Sequence, residues 1–509
     1  MRKIIDAFLN HFTMYRTVLY VLIALIAVAM ALAALGLLSM SPLMILASVV
    51  FITIVCVVAN TILAWFFRAP TNVESVYITA LILALIITPP HTLHDKVYLE
   101  VAFWASSWAM ASKYILAIGK KHLFNPVAFG VAVTALTLNA SASWWVGTLP
   151  MLPFTLIGGL LITRKILRFD LVLSFLIVAM ILIAWSHLGS GWLGIPAVWT
   201  SIAQSSLLFF AFVMLTEPLT TPPTRPLRIA YGALVGVLFL PSFHIGSLYS
   251  TPELALLAGN VFSYLVSPKA KLLLTLRKKE KAAHDTYDFW FDADKKMNFK
   301  PGQYLEWTLA HRHPDGRGNR RYFTVASSPT EKGIMMGVKF YPEGSSFKES
   351  LFDMKPGDQL IASQLAGDFT LPHDKKEKLV FVAGGIGVTP FRSQIQYLID
   401  KNEKRDIVVF YSNRTVQDIA YADILQEAEK KLGIKTVYTL TDRASAPADW
   451  SGYQGYIDAS MVRTEVPDYR DRHFYISGPQ ALVHSFEDTL RRLGVHESRI
   501  TKDFFPGFA

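Results

Sequence analysis

The sequence contains a single cysteine, Cys56, among 509 residues. One thiol cannot form a disulfide within the chain, and a ferredoxin-type iron–sulfur cluster needs four thiolate ligands. Cys56 also lies within an apolar run. The cysteine count therefore excludes a disulfide-stabilised extracellular scaffold and an iron–sulfur protein, and we expect no metal site.

Charged side chains are scarce in the first half of the chain. Residues 1–268 contain 13 Lys and Arg and 7 Asp and Glu, whereas residues 269–509 contain 36 and 32. The first composition is typical of a membrane domain and the second of soluble protein. The net charge of +10 is spread over both halves without a dense basic surface, so we expect no nucleic-acid partner.

Apolar runs that are long enough to cross, or nearly cross, a bilayer core of about 30 Å recur in the first half. They predict ten transmembrane helices, at 17–38, 42–67, 74–88, 97–118, 126–139, 150–163, 170–187, 199–216, 228–243 and 250–267. Lys and Arg concentrate at alternate ends of these runs, as the positive-inside rule requires. We therefore predict a multi-pass protein of the cell inner (cytoplasmic) membrane, in contact with lipid, whose amino terminus and second half lie in the cytoplasm.

Two Pro-rich segments indicate an internal repeat of five spans. The third run ends in LIITPP (85–90), and the eighth ends in LTEPLTTPP (215–223). Because five is odd, the two halves would have inverted topology, an arrangement in which broken helices line a central site. Pro at a helix end is also a simple stop signal, but Glu217 and its neighbouring threonines are costly in lipid and favour a lined cavity.

Five segments of the first half resemble one known family. They are NPVAFG (125–130), TLIGGLL (155–161), AFVMLTEPLTTPP (211–223), YGALVGVL (231–238) and PELALLAGN (252–260). Together they resemble the membrane component that Rnf complexes share with sodium-translocating NADH:quinone reductases. The resemblance covers most of residues 70–267 and implies ten helices in two inverted halves, with flavin in the membrane close to Asn125, Glu217 and Thr220.

Members of that family often carry FMN on the Thr of a Ser-Gly-Ala-Thr motif after the fifth span. The corresponding loop here, residues 138–150, lacks that motif. The resemblance therefore implies non-covalent FMN or riboflavin, which Ser141, Ser143 or Thr148 could contact.

The second half begins with short alternating stretches, which predict an antiparallel β-barrel over residues 269–373. Within it, Arg321, Phe323 and Thr324 offer a cation, a stacking plane and a hydroxyl on one strand. Free amides open a short helix a little further along the chain, and a phosphate site or plain helix capping explains them equally well. The residues of this second segment are Gly344, Ser345, Ser346 and Lys348.

The strongest local motif is KLVFVAGGIGVTPFRSQIQYLI (378–399). A buried strand leads into glycines, and Pro390 then begins a helix, so the backbone can approach a pyrophosphate at a helix start. Further strands alternate with helical stretches, which predicts a doubly wound α/β domain over residues 374–509.

In order, RxFT, GSSFK, GGIGVTP, SGP and an aromatic carboxyl terminus resemble the ferredoxin–NADP reductase superfamily over residues 269–509. The resemblance implies that Arg321, Phe323 and Thr324 bind flavin, with Thr324 near its reactive nitrogen, and that Ser346 and its neighbours hold flavin phosphate. It assigns Phe504, Phe505 or Phe508 to the flavin face, where core packing is the alternative. It assigns the nicotinamide dinucleotide to Gly384, Gly385, Gly387, Thr389, Pro390, Ser477, Gly478 and Pro479.

Two positions bear on nucleotide chemistry. Ser477 stands where many members of the superfamily have Cys, so a hydroxyl replaces a thiol that is usually close to the nicotinamide, and we expect slower hydride transfer. Ser412 and Arg414 could hold a 2′-phosphate, which would indicate NADPH, or Arg414 could be an exposed surface charge. The choice between NADH and NADPH stays open.

These observations predict a membrane-bound NAD(P)H-dependent flavin oxidoreductase. Flavin, as FAD or FMN, accepts hydride and releases single electrons, which would pass to a membrane-domain flavin and then to a quinone, an external flavin or a partner protein. A haem-linked ferric reductase or NADPH oxidase is one alternative, although the histidines of the first half lie at span ends or in loops and do not supply paired axial ligands. A transporter with a flavin redox-sensing domain is the other.

Overall fold

The first part of the chain is mostly helical, whereas the second part contains two six-stranded sheets together with helices. The computed structural model describes residues 5, 8–9, 12–67, 73–118, 121–187, 194–240, 243–246, 248–267, 271–312, 315, 318–342 and 344–503. Two compact units are present, Met1–Ala270 and Lys271–Ala509, which we call unit 1 and unit 2.

Each of the ten apolar runs in unit 1 contains a helix. The helices are α1 (Met14–Ala34), α2 (Pro42–Phe66), α3 (Val73–Ile86), α4 (Lys96–Ile115), α5 (Pro126–Leu138), α6 (Leu152–Ile166), α7 (Phe169–His187), α8 (Gly194–Ala203), α9 (Arg225–Leu238) and α10 (Pro252–Val266). After α8 the chain forms a short helix, Leu207–Phe209, that continues as a π-helix, Phe210–Met214. Two small hairpins are formed by β1 (Ala117–Ile118) with β2 (Lys121–His122), and by β3 (His244–Ile245) with β4 (Leu248–Tyr249).

The predicted count of ten transmembrane helices is wrong. Among the described residues, four helices are long and apolar enough to cross a membrane: α1, α2, Leu149–Ile166 and α7. A fifth would be the pair Ile195–Ala203 and Leu207–Met214, which is bent by 51°. Helices α3, α5 and α10 have 14, 13 and 15 residues, and at about 1.5 Å per residue they are too short for a core of about 30 Å.

The order of helix packing in unit 1 repeats with an offset of five helices. Helix α1 packs on α3, α2 on α4, and α4 on α5; correspondingly, α6 packs on the π-helical segment, α7 on α9, and α9 on α10. One hairpin lies between α4 and α5, and the other between α9 and α10. This pattern agrees with an internal repeat, and its inverted topology stays a prediction.

Glycine allows close helix crossings in both halves of unit 1. A Cβ on Gly130 of α5 would lie 2.3 Å from the Ala105 carbonyl oxygen of α4. A Cβ on Gly232 of α9 would lie 2.1 Å from Ser174 Oγ and 2.6 Å from the Leu171 carbonyl oxygen of α7. Small residues at such crossings bring helix backbones together where the hydrophobic effect cannot drive association.

Unit 2 begins with an antiparallel sheet of six strands, which confirms the predicted antiparallel architecture as an open half-barrel. Its strands are β5 (Leu272–Ala283), β6 (Thr286–Ala293), β7 (Tyr304–Thr308), β8 (Arg320–Thr324), β9 (Ile334–Lys339) and β10 (Gln359–Ala366), in the order β8-β7-β10-β5-β6-β9. Alternate side chains of these strands fill one core, in which Phe289, Phe291 and Trp307 are fully buried. Helix α11 (Ser346–Phe352) inserts Phe347 into the same core.

A parallel sheet of six strands follows, as predicted. Its strands are β11 (Leu379–Gly384), β12 (Ile407–Asn413), β13 (Lys435–Leu440), β14 (Tyr453–Gln454), β15 (His473–Ser477) and β16 (Ile500–Asp503), in the order β14-β13-β12-β11-β15-β16. Its helices are α12 (Thr389–Asp400), α13 (Ala422–Leu432), α14 (Ala459–Glu465) and α15 (Gln480–Arg492). Along β11, Phe381 belongs to one core and Val380 and Val382 to another, so both faces of the sheet are covered. The strand order reverses between β11 and β15, the position where open α/β sheets bind ligands.

The glycine crossings predict a test of unit 1. Gly130→Leu and Gly232→Leu should each lower its stability by about 1–3 kcal/mol, because the added side chain meets backbone that cannot move aside. Thermal denaturation of the detergent-solubilised chain, followed by loss of the monodisperse species, measures the effect. Ala24→Leu introduces the same side chain at an exposed site of α1 and should leave the transition unchanged; equal transitions in all three variants would contradict close packing at the glycines.

Candidate functional site

The carboxyl ends of the central strands bring three predicted nucleotide-binding motifs to one edge of the parallel sheet. Ala383 pairs with Ser477 across β11 and β15, and Gly384 pairs with Ser412 across β11 and β12. Parallel strands end at the same edge, so the glycine turn after β11, Ser412 and the Ser-Gly-Pro motif after β15 are neighbours. The structure thus groups residues that are separated by up to about 90 positions in the chain.

Backbone contact at this edge requires glycine. A Cβ on Gly387 would lie 2.5 Å from Gly478 Cα and 2.6 Å from the Ser477 carbonyl oxygen. Gly385 has φ +52° and forms the left-handed corner of the turn. A single 3₁₀ turn, Gly385–Val388, leads into α12, whose first turn contains Pro390 and whose Thr389 hydroxyl donates to the Ile386 carbonyl at 3.1 Å. Because helix starts leave amides free for an anion, the turn fits a pyrophosphate.

The Ser-Gly-Pro motif closes the other side of the turn. A Cβ on Gly384 would lie 3.1 Å from Pro479 Cδ and 2.7 Å from Leu482 Cδ1 of α15. Gly478 has φ +155°, and a Cβ on it would lie 3.1 Å from both Cα and N of Gly384. The predicted residues Gly384, Gly387, Ser477, Gly478 and Pro479 therefore form one continuous surface.

Ser412 and Arg414 occupy different environments. Ser412 is buried at the end of β12, next to the glycine turn. Arg414 is 79% exposed, and its Nε lies 3.8 Å from Asp442 Oδ2. A carboxylate beside the guanidinium competes with a 2′-phosphate for it, so the structure favours neither NADH nor NADPH.

Sequence reasoning missed Asp503, the last described residue of β16. Asp503 pairs with Ser477 across β15 and β16. Although its side chain is not fully enclosed, desolvation raises the pKa of Asp503 to about 7. An acidic residue directly before two aromatic residues was the available signal. The predicted flavin-covering residue Phe505, with Phe504 and Phe508, lies outside the described residues.

The flavin-site prediction for the half-barrel centres on β8. Arg321 is buried, and its Nη1 donates to the carbonyl oxygens of Gly318 at 3.1 Å and Arg320 at 2.7 Å. Its guanidinium lies 5.2 Å from the ring centroid of Phe347 on α11. Phe323 is half-buried at 6.1 Å from the same ring, and Thr324 is buried opposite Tyr304 of β7.

A carboxylate joins the two predicted phosphate-binding groups. The backbone N–H of Ser346 donates to Asp315 Oδ2 at 3.2 Å, and Arg321 Nη2 lies 3.8 Å from Asp315 Oδ1. The Ser346 hydroxyl accepts from the Asp315 N–H at 2.8 Å and lies 3.0 Å from His311 Nε2. Arg321 and Ser346 therefore both face the Asp315 carboxylate, which would compete with a flavin phosphate for these donors. Sequence reasoning missed His311 and Asp315 because their loop carries no periodic pattern.

The neighbouring residues of that segment have other contacts. The Ser345 hydroxyl caps α11 by accepting from the Lys348 N–H at 3.3 Å, which is the capping role that the sequence left open. Lys348 Nζ donates to the Lys339 carbonyl at 3.0 Å and lies 5.1 Å from the Tyr341 ring. Gly344 lies in the loop before the cap, where a Cβ would meet only ordinary contacts.

The predicted membrane-site residues of unit 1 are also close together. Asn125 Oδ1 caps α5 by accepting from the Ala128 N–H at 3.0 Å, and Asn125 Nδ2 reaches the Met214 carbonyl at 3.5 Å, at the end of the π-helix. Three residues beyond Met214, Glu217 Oε2 accepts from the Thr220 hydroxyl at 3.2 Å. π-helical turns in α-helices are frequent at functional sites.

Two further polar residues complete this group. Asn260 Oδ1 of α10 accepts from the Asn125 N–H at 2.7 Å, and Asn260 Nδ2 donates to the Tyr231 hydroxyl of α9 at 2.9 Å. Asn260 and Tyr231 lie in two of the segments that carry the family resemblance, but the sequence assigned neither residue a role. Of the loop residues, Ser143 Oγ donates to the Ile86 carbonyl at 3.3 Å; Ser141 is exposed, and Thr148 is half-buried.

The histidines bear on the haem alternative. Within the described part of unit 1, they lie in loops, hairpins or the last turn of a helix: His91, His94, His122, His187 and His244. Within the same ranges, no group of three or more His, Cys, Asp or Glu side chains is placed to hold a metal ion.

Comparison with known proteins identifies the two domains of unit 2. Residues 273–370 match the family described as oxidoreductase FAD-binding domain, and residues 381–488 match the family described as oxidoreductase NAD-binding domain. Unit 2 therefore contains an oxidoreductase FAD-binding domain followed by an oxidoreductase NAD-binding domain.

Curated relatives match over the same part of the chain. The glycine betaine monooxygenase reductase subunit of Chromohalobacter salexigens is 27% identical over 232 residues, which are 44% of this chain and 62% of that protein. One component of the Na(+)-translocating NADH-quinone reductase of Neisseria meningitidis is 28% identical over 201 residues, 37% of this chain and 49% of that protein. The chain thus spans about half to three fifths of the length of these relatives. The cytochrome P450 reductase GcoB of Amycolatopsis matches with a TM-score of 0.41 and 24% identity, over 46% of this chain and 69% of that one.

Gly387→Ala tests the glycine turn. The added Cβ cannot coexist with the Gly478 backbone, so the turn must open, and we expect nucleotide affinity to fall at least about tenfold, or about 1.4 kcal/mol. Titration of the purified chain with NAD⁺ and NADP⁺ by calorimetry measures the change, and FAD content should stay constant. Gly433→Ala controls for general destabilisation, because Gly433 also has a positive φ and an added Cβ there would meet no atom within 4 Å. Unchanged nucleotide affinity in Gly387→Ala would contradict the assignment of the turn.

Asp503→Asn tests the carboxyl group beside Ser477. With a pKa of about 7, Asp503 is neutral below that pH and negative above it. If nicotinamide binds at Ser477, the negative form favours the positive charge that develops as hydride leaves. We expect flavin reduction to accelerate as pH rises through 7 in the wild type and to be flat in Asp503→Asn. Stopped-flow absorbance across this range measures it, and identical profiles would remove Asp503 from the site.

Proposed function

We propose that the chain is a membrane-bound NAD(P)H-dependent flavin oxidoreductase. Residues 269–373 form its flavin domain, residues 374–509 its NAD(P) domain, and residues 1–268 a membrane domain that receives the electrons. Electrons pass from cytoplasmic NAD(P)H through FAD, or FMN, to a membrane-domain cofactor, for which we propose flavin, and then to an acceptor. The enzyme lies in the cell inner membrane with unit 2 in the cytoplasm.

One observation carries this proposal. Two consecutive oxidoreductase domains, one for FAD and one for NAD, follow unit 1 on the same polypeptide, and unit 1 contains helices long and apolar enough to cross a membrane. The nucleotide turn of the second domain has the glycine contacts that allow a pyrophosphate to approach the backbone. A soluble reductase would not need such helices.

The residues of unit 2 divide the work of binding and transfer. Bound flavin supplies the conversion of a two-electron hydride into single electrons. We assign Arg321 and Ser346 to its phosphate, which would take the place of the Asp315 carboxylate that both now face. Phe323 and Thr324 would contact the flavin ring system. Ser477 would hold the nicotinamide next to the flavin ring, with the Ser477 hydroxyl in the place of the thiol that many members of the superfamily have there.

The second cofactor would be non-covalent FMN or riboflavin beside Asn125, Glu217 and Thr220. The support is the resemblance at these positions and the buried, hydrogen-bonded polar group that surrounds them. The acceptor would be a quinone, an external flavin or a partner protein. Similarity of unit 2 to a component of an NADH-quinone reductase favours quinone among these three.

The direct test is oxidation of NADH and NADPH by the detergent-purified chain with ferricyanide as a soluble one-electron acceptor. We expect turnover with at least one nucleotide, proportional to FAD content, and a flavin absorption spectrum. A preparation that carries FAD but oxidises neither nucleotide would contradict the proposed function, and a sharp Soret band would favour the haem-linked alternative.

The membrane cofactor has a separate test. The double variant Glu217→Gln/Thr220→Val should lose the flavin of unit 1 and retain that of unit 2, so that the flavin released per chain falls from about two equivalents to about one, because each proposed site holds one flavin. Extraction and chromatography of flavin measure the count. Glu100→Gln/Thr61→Val alters the same two side-chain types at exposed sites of unit 1 and should keep both; two equivalents in both double variants would exclude this location.

A further inference from the structure

A hydrogen bond between a tyrosine and a carboxylate crosses from the half-barrel to the parallel-sheet domain of unit 2. The Tyr421 hydroxyl donates to Asp288 Oδ1 at 2.6 Å. Asp288 belongs to β6, whereas Tyr421 directly precedes α13, and the two are 133 positions apart in the sequence. Neither residue belongs to a motif that the sequence singled out.

Tyr421 adopts a costly backbone conformation to make this bond. Its φ of +57° places a bulky residue in the left-handed region, which costs about 1–3 kcal/mol and persists only where the surroundings fix it. Its side chain is buried, and burial raises the pKa of Tyr421, so the hydroxyl remains a donor. Burial likewise raises the pKa of Asp288 to about 6, opposed by the Tyr421 bond and the Arg392 charge; above that pH the acceptor is an ionised carboxylate, which strengthens the bond.

The pair lies directly against the start of the nucleotide helix. Gly337 of β9 pairs with Asp288 across the sheet. A Cβ on Gly337 would lie 2.5 Å from Tyr421 Oη, 3.2 Å from Asp288 Oδ1 and 2.9 Å from Thr389 Cγ2. Thr389 is the first residue of α12, which follows the glycine turn. The Tyr421 hydroxyl and the Thr389 side chain therefore meet on one bare stretch of half-barrel backbone.

Charged groups around the pair link the same two domains. The Arg392 guanidinium of α12 lies 5.9 Å from the Tyr421 ring and forms an ion pair with Glu331 of the half-barrel. Lys339 of β9 pairs with Asp418 at 2.7 Å. Glu280 of β5 also acts electrostatically on Asp288. These contacts join the two domains. Among them, the Tyr421–Asp288 bond is the one that lies against Gly337, beside the Thr389 side chain.

We propose that Tyr421 and Asp288 are positioning residues that set the distance between flavin on the half-barrel and the nicotinamide of a dinucleotide whose pyrophosphate binds at the Gly384–Thr389 turn. The inference rests on the proposed function. Hydride transfer requires reacting atoms about 3–3.5 Å apart, and a shift of about 1 Å can cost 10²-fold in rate. Loss of the bond would loosen β6 of the half-barrel from the start of α13 in the parallel-sheet domain, without removing any group that binds flavin or nucleotide.

Tyr421→Phe removes only the hydroxyl. In stopped-flow reduction of the full chain by NADH or NADPH, we expect the rate constant at saturating nucleotide to fall about tenfold, with the nucleotide Kd and FAD content unchanged. Asp288→Leu should lose as much, whereas Asp288→Asn keeps an acceptor oxygen and should retain most of the rate. The double variant Tyr421→Phe/Asp288→Leu should lose no more than either single variant.

Tyr453→Phe is the matched control. Its hydroxyl also donates to a carboxylate at 2.6 Å, on Glu465, but both residues lie within the parallel-sheet domain, so its rate should equal that of the wild type. A saturating rate in Tyr421→Phe equal to that of the wild type, or reduced only in proportion to FAD content, would overturn the inference. Failure of the wild type itself to be reduced would instead count against the proposed function.

Discussion

The close approach of two glycines at the carboxyl edge of the parallel sheet is the constraint on which the account of unit 2 depends. Gly387 and Gly478 touch backbone to backbone, and no side chain fits between them. This contact ties the turn after β11 to the end of β15 at the point where strand order reverses. A surface of exposed amides at a helix start results, which suits the pyrophosphate of a dinucleotide.

The two units achieve cohesion in different ways. In unit 2, one apolar core fills the half-barrel, and another joins Met335 of the half-barrel to Phe381 of the parallel sheet. Polar contacts such as Arg392 with Glu331 and Tyr421 with Asp288 also link the two domains. In unit 1, glycine crossings bring helices together, and the polar group around Asn125 and Asn260 is satisfied internally. Polar groups inside a membrane domain are costly and frequently functional, which supports the proposed flavin site at this group.

Sequence reasoning predicted both sheets of unit 2 and the residues of the glycine turn, because alternation and strand–glycine–helix order reflect local backbone requirements. It located the ten helices α1 to α10 of unit 1 but overcounted spans, since hydropathy does not reveal that a run such as 126–139 forms a helix of 13 residues. Sequence reasoning did not identify Asp315, Tyr421 and Asp503, because their roles arise from contacts between segments that are distant in the sequence. Ser345 caps a helix; the sequence pattern fits helix capping and phosphate binding equally well, and only the three-dimensional contacts distinguish them.

The central claim is that electrons collected by unit 2 reach unit 1. Rapid mixing of the full chain with excess NADH, and separately NADPH, under anaerobic conditions measures this through flavin absorbance at successive times. The account predicts a fast bleaching of one flavin equivalent followed by a slower bleaching of a second equivalent. A single bleaching phase that accounts for all flavin in the preparation would confine the redox chemistry to unit 2 and contradict the claim.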